Sequence, residues 1–291
     1  MELELLWRRI SPARNISMAF SEDGLLGVSS FCSIYNKEGK RRKACEYDTI
    51  SVSYCCDTFA FLSKVFGMEL ILVDKRGNVI GKRKLHSLTY GVGFSNEGFL
   101  VCGGGGCKLY DMDWNEVWGI HYNYIAYDRP AYYKGYWYIP TFAGFVIIKA
   151  RIAVRERKLP HYEQSLSVDV CDKYLALSTE SHIHLFELDD PLKPKMLWMI
   201  KGIAMPLSIA FSPDCKYIAV AENDRHRLRI YDLNGNLVFK RRMCCVGSVA
   251  WWQDRLAVGI ENKAICMYKV NEEAPFEGPK KEDACTNLSP I

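Results

Sequence analysis

The sequence predicts an all-β chain folded as a seven-bladed β-propeller, and three observations indicate this. Apolar residues alternate or run for four to six positions and then stop at Gly, Asp, Asn or Pro, a pattern typical of short strands. A unit of four such strands recurs about every 40 residues, which is the period of propeller blades. The seventh unit lacks its fourth strand, and the amino-terminal segment supplies a matching one.

The clearest unit lies at residues 207–241. Its four predicted strands are Leu207–Phe211, Tyr217–Ala221, Leu228–Asp232 and Leu237–Arg241. The turn before the last strand carries Asn234-Gly235, which is a strong hairpin signal. Short turns between successive strands predict an antiparallel four-stranded sheet.

One residue closes the first strand of each unit and marks the repeat. These closing residues are Phe20, Tyr54, Phe94, Tyr132, Val170, Phe211 and Trp251. The steps between them are 34, 40, 38, 38, 41 and 40 residues. Seven units of this length predict seven blades around a central channel.

The two ends of the chain are predicted to share one blade. The segment Leu5–Arg9 resembles the fourth strand Val238–Arg242, and it precedes the first strand of blade 1. We therefore predict that residues 1–10 complete blade 7 and leave no open sheet edge. The propeller is expected to span residues 1–270, and residues 271–291, with five acids and three prolines, are expected to form a flexible acidic tail.

The chain resembles the WD-repeat and YVTN-like propeller superfamily. The resemblance covers residues 1 to about 270 and is most specific at AFSPDCKYIAVAEN (210–223) and RLRIYDLNGN (227–236). The sequence departs from true WD repeats because Tyr-Asp or a variant replaces Trp-Asp at the third-strand ends. The resemblance implies a rigid disc that docks partner proteins, and no subfamily's function can be carried over.

Composition excludes several classes of protein. The 291 residues are 49% hydrophobic and 25% charged, which is the balance of a globular protein and not of a disordered one. The amino terminus lacks a secretory pattern, and no apolar run reaches the length of a membrane span. A cytoplasmic protein with no membrane association and reduced cysteines is therefore expected.

The twelve cysteines are predicted to act mostly as small buried apolar residues. No Cys-x-x-Cys occurs, and the adjacent pairs Cys55-Cys56 and Cys244-Cys245 are expected to make poor bidentate metal clips. Cys102 and Cys107 bracket four glycines and could meet across a hairpin. No metal or cofactor is predicted.

No catalytic motif is present, so the sequence predicts a protein that is not an enzyme. His182 and His184 are two apart on a third strand, which is half of a metal-binding pair, but we expect a variable solvent-facing pair instead. A propeller hydrolase or lactonase with a metal in the central channel stays open as an alternative. Acids or histidines converging on the channel would favour it.

Basic residues recur on the fourth strands of five units. This basic rim consists of Arg8, Arg9, Arg41, Arg42, Lys82, Arg83, Lys84, Arg155, Arg157, Lys240, Arg241 and Arg242. Lysine and arginine on an outer strand prevent edge-to-edge aggregation, which explains the pattern without a ligand. The functional alternative is an electrostatic surface for nucleic acid or for an acidic protein.

An aromatic sector interrupts this pattern after the third unit. Twelve of the 37 aromatic residues fall within 114–145. Because Tyr and Trp dominate binding hot spots, we predict a protein-docking sector there. Its residues are Trp114, Trp118, His121, Tyr122 and Tyr124. The preferred function is accordingly a protein-interaction scaffold.

Overall fold

The computed structural model describes residues 1–11, 17–43, 45, 48–63, 68–85, 89–121, 129–149, 153–159, 163–261 and 264–272. Within them, 28 strands form seven separate four-stranded sheets, which confirms the predicted seven-bladed propeller. The helical content of these residues is a single 3-10 turn, Ser30–Cys32. None of the described segments is therefore a helix that could cross a membrane.

In each of the first three blades, the strands follow the chain outward from the channel. Blade 1 holds β2 (Met18–Phe20), β3 (Leu26–Val28), β4 (Ser33–Tyr35) and β5 (Arg41–Lys43). Blade 2 holds β6 (Thr49–Cys55), β7 (Thr58–Ser63), β8 (Glu69–Asp74) and β9 (Val79–Lys84). Blade 3 holds β10 (Thr89–Ser95), β11 (Gly98–Gly103), β12 (Gly106–Tyr110) and β13 (Glu116–Ile120).

The next three blades repeat the same order. Blade 4 holds β14 (Ala131–Tyr133), β15 (Tyr136–Thr141), β16 (Gly144–Lys149) and β17 (Ala153–Lys158). Blade 5 holds β18 (Ser165–Cys171), β19 (Tyr174–Thr179), β20 (His182–Glu187) and β21 (Lys195–Lys201). Blade 6 holds β22 (Pro206–Phe211), β23 (Tyr217–Glu222), β24 (Arg227–Asp232) and β25 (Leu237–Arg242).

Blade 7 joins the two ends of the chain. Its strands from the channel outward are β26 (Val246–Trp252), β27 (Arg255–Ile260), β28 (Ala264–Asn271) and β1 (Glu2–Ile10). The outer strand β1 pairs antiparallel with β28, from Glu2 opposite Asn271 to Ile10 opposite Ala264. The predicted closure of the ring by the amino-terminal strand is confirmed. Of the predicted tail, residues 273–291 lie outside the described residues.

The hydrophobic core lies between neighbouring blades. Seven clusters of buried side chains each draw on two adjacent sheets. The cluster between blades 1 and 2, for example, joins Ile34 to Val52, Phe59 and Ile71. Both faces of each blade are therefore covered, which is why β7, β11 and β23 have long buried runs instead of a regular alternation.

The Tyr-Asp ends of the third strands have a structural purpose. In blade 6 the carboxylate of Asp232 accepts hydrogen bonds from the backbone N–H groups of Asn234 and Asn236 at 2.9 and 2.8 Å. Asp74 and Asp111 bind Asn78 and Asn115 in the same way. The aspartate thus fixes the turn into the outer strand, because its side chain replaces a backbone acceptor.

The prediction of reduced cysteines is wrong for six residues, which form disulfides. The pairs are Cys32–Cys45, Cys102–Cys107 and Cys171–Cys215. Strand pairing brings Cys102 opposite Cys107, with Cα atoms 4.2 Å apart, so the hairpin contact considered for this pair is present. The other two pairs join residues 13 and 44 positions apart, and their meeting depends on turns that spacing alone does not reveal.

Candidate functional site

The wall of the central channel is built from a repeated serine. Three residues before the closing position, the first strands carry Ser17, Ser51, Ser167, Ser208 and Ser248 in five of the seven blades. The hydroxyl of Ser51 accepts the N–H of Val92 in the next blade at 3.3 Å, and those of Ser17, Ser167 and Ser208 accept equivalent N–H groups at 3.2 Å. These bonds join the first strands of neighbouring blades at four of the seven junctions.

Blade 4 places an arginine at this serine position. Arg129 lies three residues before Tyr132, and its Nη1 donates a hydrogen bond to the carbonyl oxygen of Met18 at 2.9 Å. Met18 belongs to blade 1, three blades away around the ring. The guanidinium group therefore reaches across the channel instead of bridging two adjacent blades.

Blade 5 adds a carboxylate close to this arginine. Asp169 stands one residue before the closing position, where the other blades have only small residues: Ala19, Ser53, Gly93, Ala131, Ala210 and Ala250. Its Oδ2 accepts the N–H of Phe211 at 2.8 Å. Burial raises the pKa of the Asp169 carboxyl, while the positive charge of Arg129 and the backbone hydrogen bonds oppose that rise.

Arg129 and Asp169 lie in a cavity of about 480 Å³ where the first strands end, which we call the channel mouth. All seven blades contribute to it, and the closing residues Phe20, Tyr54, Phe94, Tyr132, Val170, Phe211 and Trp251 form its edge. Among the described residues that line it, Arg129 and Asp169 are the two that carry a charge. A cavity of this size, with aromatic walls and a few convergent polar groups, is typical of a binding site.

The aromatic rings at the edge are held by the blades. Phe94 stacks on Phe99 with ring centroids 4.4 Å apart, and Tyr132 packs on Trp137 at 4.8 Å. Burial and a hydrogen bond to Glu97 raise the pKa of Tyr132 to about 12, so its hydroxyl stays protonated at neutral pH. The channel mouth is therefore a rigid, largely uncharged surface around one cation and one anion.

The predicted docking sector is only partly a free surface. Trp114 is half-buried and stacks on Phe99 at 5.3 Å, and Trp118 packs into the core between blades 3 and 4. His121 is exposed and lies 3.2 Å from the carbonyl oxygen of Gly105. Tyr122 and Tyr124 lie outside the described residues. Docking at this sector stays a prediction.

The basic rim lies where the sequence places it, on the outer strands. Exposed members are Arg8, Arg9, Arg41, Arg42, Lys82, Lys84, Arg155, Arg157 and Arg242, while Arg83, Lys240 and Arg241 are half-buried. Arg83 lies over the Tyr110 ring at 4.7 Å, which is a packing role. The outer strands of four adjacent blades, 6, 7, 1 and 2, carry members of this set, which we call the basic arc. Blade 3 ends it because its outer strand β13 contains no Lys or Arg.

The histidine pair is not solvent-facing, so that expectation is wrong. His182 and His184 are 9% and 1% exposed because β20 is covered on both faces. Glu163 accepts hydrogen bonds from the hydroxyls of Ser181 and Thr179 at 2.6 and 2.7 Å and lies 2.8 Å from Nδ1 of His182. This cluster ties the segment before β18 to the turn between β19 and β20.

The same cluster lacks the geometry of a hydrolytic triad. Such a triad needs the serine and the acid on different nitrogens of the imidazole, so that a proton can pass through the ring. Here Ser181 Oγ and Glu163 Oε2 both lie 2.8 Å from Nδ1 of His182. Within the described ranges, no three His, Cys, Asp or Glu side chains are grouped closely enough to hold a metal ion.

Sequence reasoning missed Arg129 and Asp169, although a signal was present. Aligning the seven closing residues also aligns the positions one and three residues earlier. Those columns are occupied by Ser, Gly or Ala except at Arg129 and Asp169. A charged residue in a column of small ones was therefore visible without a structure.

Comparison with known proteins identifies the fold. No family model and no curated protein matches the sequence. The β-propeller domain of Myceliophteria thermophila Cps50 (Swd1) is 16% identical, with a TM-score of 0.74 over 93% of this chain and 100% of that one. Virginiamycin B lyase from Staphylococcus aureus is 11% identical, with a TM-score of 0.76 over 93% and 100%. A chain of a mitotic checkpoint complex is 12% identical, with a TM-score of 0.79 over 91% of each.

Proposed function

We propose that this chain, which shares its seven-bladed fold with propellers of the WD-repeat class, is a non-catalytic scaffold that docks a partner protein. The docking site proposed is the channel mouth. The observation that carries this proposal is the Arg129 guanidinium and the Asp169 carboxylate in a cavity whose other described lining residues are uncharged. A partner segment that enters the cavity finds an aromatic edge for apolar contact and two charged groups for orientation.

Two further observations support a binding role over catalysis. The Ser181, His182 and Glu163 side chains are used to hold blade 5 together, as their shared contact at Nδ1 shows. One similar structure is a chain of a complex, the mitotic checkpoint complex. Another is a lyase, which makes catalysis in the channel the competing proposal. A cytoplasmic location belongs to the same proposal.

The test is a comparison of baits in the native cell. Wild type is compared with the double variant Arg129→Gln, Asp169→Asn, and the proteins captured are quantified by mass spectrometry. Ser53→Ala is the matched control, because it alters the same channel wall without removing a charge. Melting temperatures of all baits show whether the ring is intact.

A partner that wild type and Ser53→Ala retain and that the double variant loses supports docking at the channel mouth. Loss of the partner only with Tyr122→Ala, Tyr124→Ala assigns docking to the sector after blade 3. A wild-type bait that enriches no protein above an unrelated propeller contradicts the scaffold proposal.

The basic arc supports a second candidate, binding to nucleic acid. Its exposed arginines and lysines lie on the outer strands of four neighbouring blades, and a phosphate-binding surface needs such accessible cations. Micromolar affinity for duplex DNA that falls steeply between about 50 and 200 mM salt supports it. Arg8→Glu, Arg42→Glu on the arc abolishes that binding, while Arg155→Glu, Arg157→Glu on blade 4 leaves most of it. No binding at low salt contradicts this candidate.

A further inference from the structure

Two adjacent cysteines stand at the edge of the channel mouth. Cys55 ends β6 and lines the cavity, and Cys56 begins the following turn. Their sulfur atoms are 3.1 Å apart. They lie at the hairpin turn between β6 and β7, whose two turn residues Cys56 and Asp57 are both in the left-handed region, with φ of +49° and +60°. The pair therefore brings two thiols to one point.

The two thiols differ in their surroundings. Cys56 is exposed, whereas Cys55 is half-buried against the channel mouth. Burial and the neighbouring Cys56 sulfur raise the pKa of the Cys55 thiol to about 12. Cys56 is thus the sulfur that a molecule from solvent reaches first, and Cys55 is the sulfur behind it.

We propose that Cys55 and Cys56 form a reversible dithiol site that reacts with a low-molecular-weight disulfide and closes to a vicinal disulfide. In the first step the Cys56 thiolate attacks one sulfur of the small disulfide. A mixed disulfide forms, and the other half leaves as a thiolate that takes up a proton.

The second step closes the ring within the protein. Cys55 releases its proton, and its thiolate attacks the Cys56 sulfur. The bond between Cys56 and the small molecule breaks, and the small molecule leaves as a thiolate that takes up the proton from Cys55. The small disulfide is reduced to two thiols, and the protein pair is oxidised by the same two electrons. No other reactant is needed.

The vicinal bond is expected to be easy to reverse. The Cα atoms of adjacent residues are about 3.8 Å apart, which is shorter than the roughly 4.4–6.8 Å usual across a disulfide. A disulfide whose Cα atoms lie outside that range is more readily reduced. The three disulfides of the structure join cysteines that are not adjacent, with separations of 5, 13 and 44. The shortest of them, Cys102–Cys107 with Cα atoms 4.2 Å apart, is buried, whereas Cys56 is exposed. Mild thiol treatment should therefore open the vicinal bond first.

The chain also contains a matched comparison. Cys244 and Cys245 are a second adjacent pair, with sulfur atoms 3.5 Å apart, but both are half-buried. Neither of them offers an exposed sulfur for the first attack. Cys266 is buried and stands alone on β28. Exchange is accordingly expected at Cys55-Cys56 before it occurs at Cys244-Cys245.

The experiment uses oxidised glutathione as the probe and the full chain under native conditions. A parallel sample alkylated with iodoacetamide first establishes that Cys55 and Cys56 start as thiols. After exchange, intact mass and peptide mapping locate each modification. Wild type should lose two hydrogen atoms at Cys55-Cys56 and retain no glutathione, and Cys244→Ser, Cys245→Ser should behave identically there.

The single variants separate a closing dithiol from a simple exposed thiol. Cys55→Ser should keep one glutathione on Cys56, because nothing remains to displace it, and Cys56→Ser should stay unmodified at Cys55. Wild type that keeps glutathione on Cys56, or that leaves both thiols open to iodoacetamide, overturns the proposal. The dithiol proposal involves only these two sulfur atoms, so a result that overturns it does not contradict the proposed docking function.

Discussion

Replacing Trp7 by alanine tests whether β1 closes the ring by packing as well as by pairing. Trp7 is 8% exposed although it lies on an outer strand. Its ring stacks on Tyr35 of blade 1 with centroids 5.8 Å apart, and its Nε1 donates a hydrogen bond to the carbonyl oxygen of Lys37 at 3.0 Å. Trp7 therefore packs the last blade against the first, at the blade where the two ends of the chain meet through the pairing of β1 with β28.

The expected cost follows from the size of the group that is lost. Truncating a buried Trp to Ala typically costs about 3–5 kcal/mol, through lost contact and the cavity left behind. In a chain of this length, each kcal/mol lowers the melting temperature by about 2 °C, so a fall of roughly 6–10 °C is expected. Leu6→Ala is the matched control, since Leu6 is the adjacent residue on β1 and is 38% exposed. Its replacement should cost less than about 0.5 kcal/mol.

The assay is urea unfolding followed by circular dichroism and by tryptophan fluorescence, supported by calorimetry. Coincident transitions establish that the ring unfolds as one unit. If Trp7→Ala costs less than about 1 kcal/mol, or no more than Leu6→Ala, then Trp7 is not part of the closure and the inference from its burial is wrong.

Three further substitutions probe other parts of the molecule. Glu222 is fully buried and accepts hydrogen bonds from Arg229 Nε at 2.8 Å and Nη2 at 3.2 Å, so Glu222→Gln should destabilise by about 3–5 kcal/mol in urea unfolding. Arg225→Gln, on the same carboxylate but half exposed, should cost at most about 1 kcal/mol, and equal costs would contradict this reading. Burial alone would raise the pKa of Glu163, but hydrogen bonds from Ser181, His182 and Thr179 outweigh it and lower the pKa to about 2. A lowered pKa gives stability that is complete above about pH 4.5 and lost as the pH falls toward 2, so wild type should lose about 3 kcal/mol more than Glu163→Gln over that window; parallel stability curves for the two proteins would rule this out. Gly39→Ala should also weaken the closure, because a Cβ at Gly39, where φ is +74°, would meet the Trp7 ring at 2.8 Å; an unchanged melting temperature would count against it.

Most of the architecture could be predicted because each blade carries its own copy of the same local signals. Turn residues such as Asn234-Gly235 and the alternation on the first strands are properties of neighbouring residues, and seven repetitions reinforce one another. The match between Leu5–Arg9 and Val238–Arg242 predicted even the closure, because two strands in the same structural position face the same surroundings.

The candidate site was harder to predict because its residues come from different blades. The position of Arg129 in the channel is shown only by the hydrogen bond from its guanidinium to Met18 of blade 1, which is 111 positions away in the chain. The aromatic sector shows the opposite case, since Trp114 and Trp118 are prominent in sequence and prove to pack between blades. Local pattern does not reveal which face of a strand a neighbouring blade covers.

The sequence by itself determined the strands, their grouping into seven blades and the basic outer strands, because these depend on residues close together in the chain. Tertiary structure alone decided which cysteines pair, that His182 and His184 are buried, and that Arg129 and Asp169 share one cavity. The physical reason is that these properties depend on tertiary contacts. Closing the ring brings together groups whose separation in sequence does not indicate their distance in space.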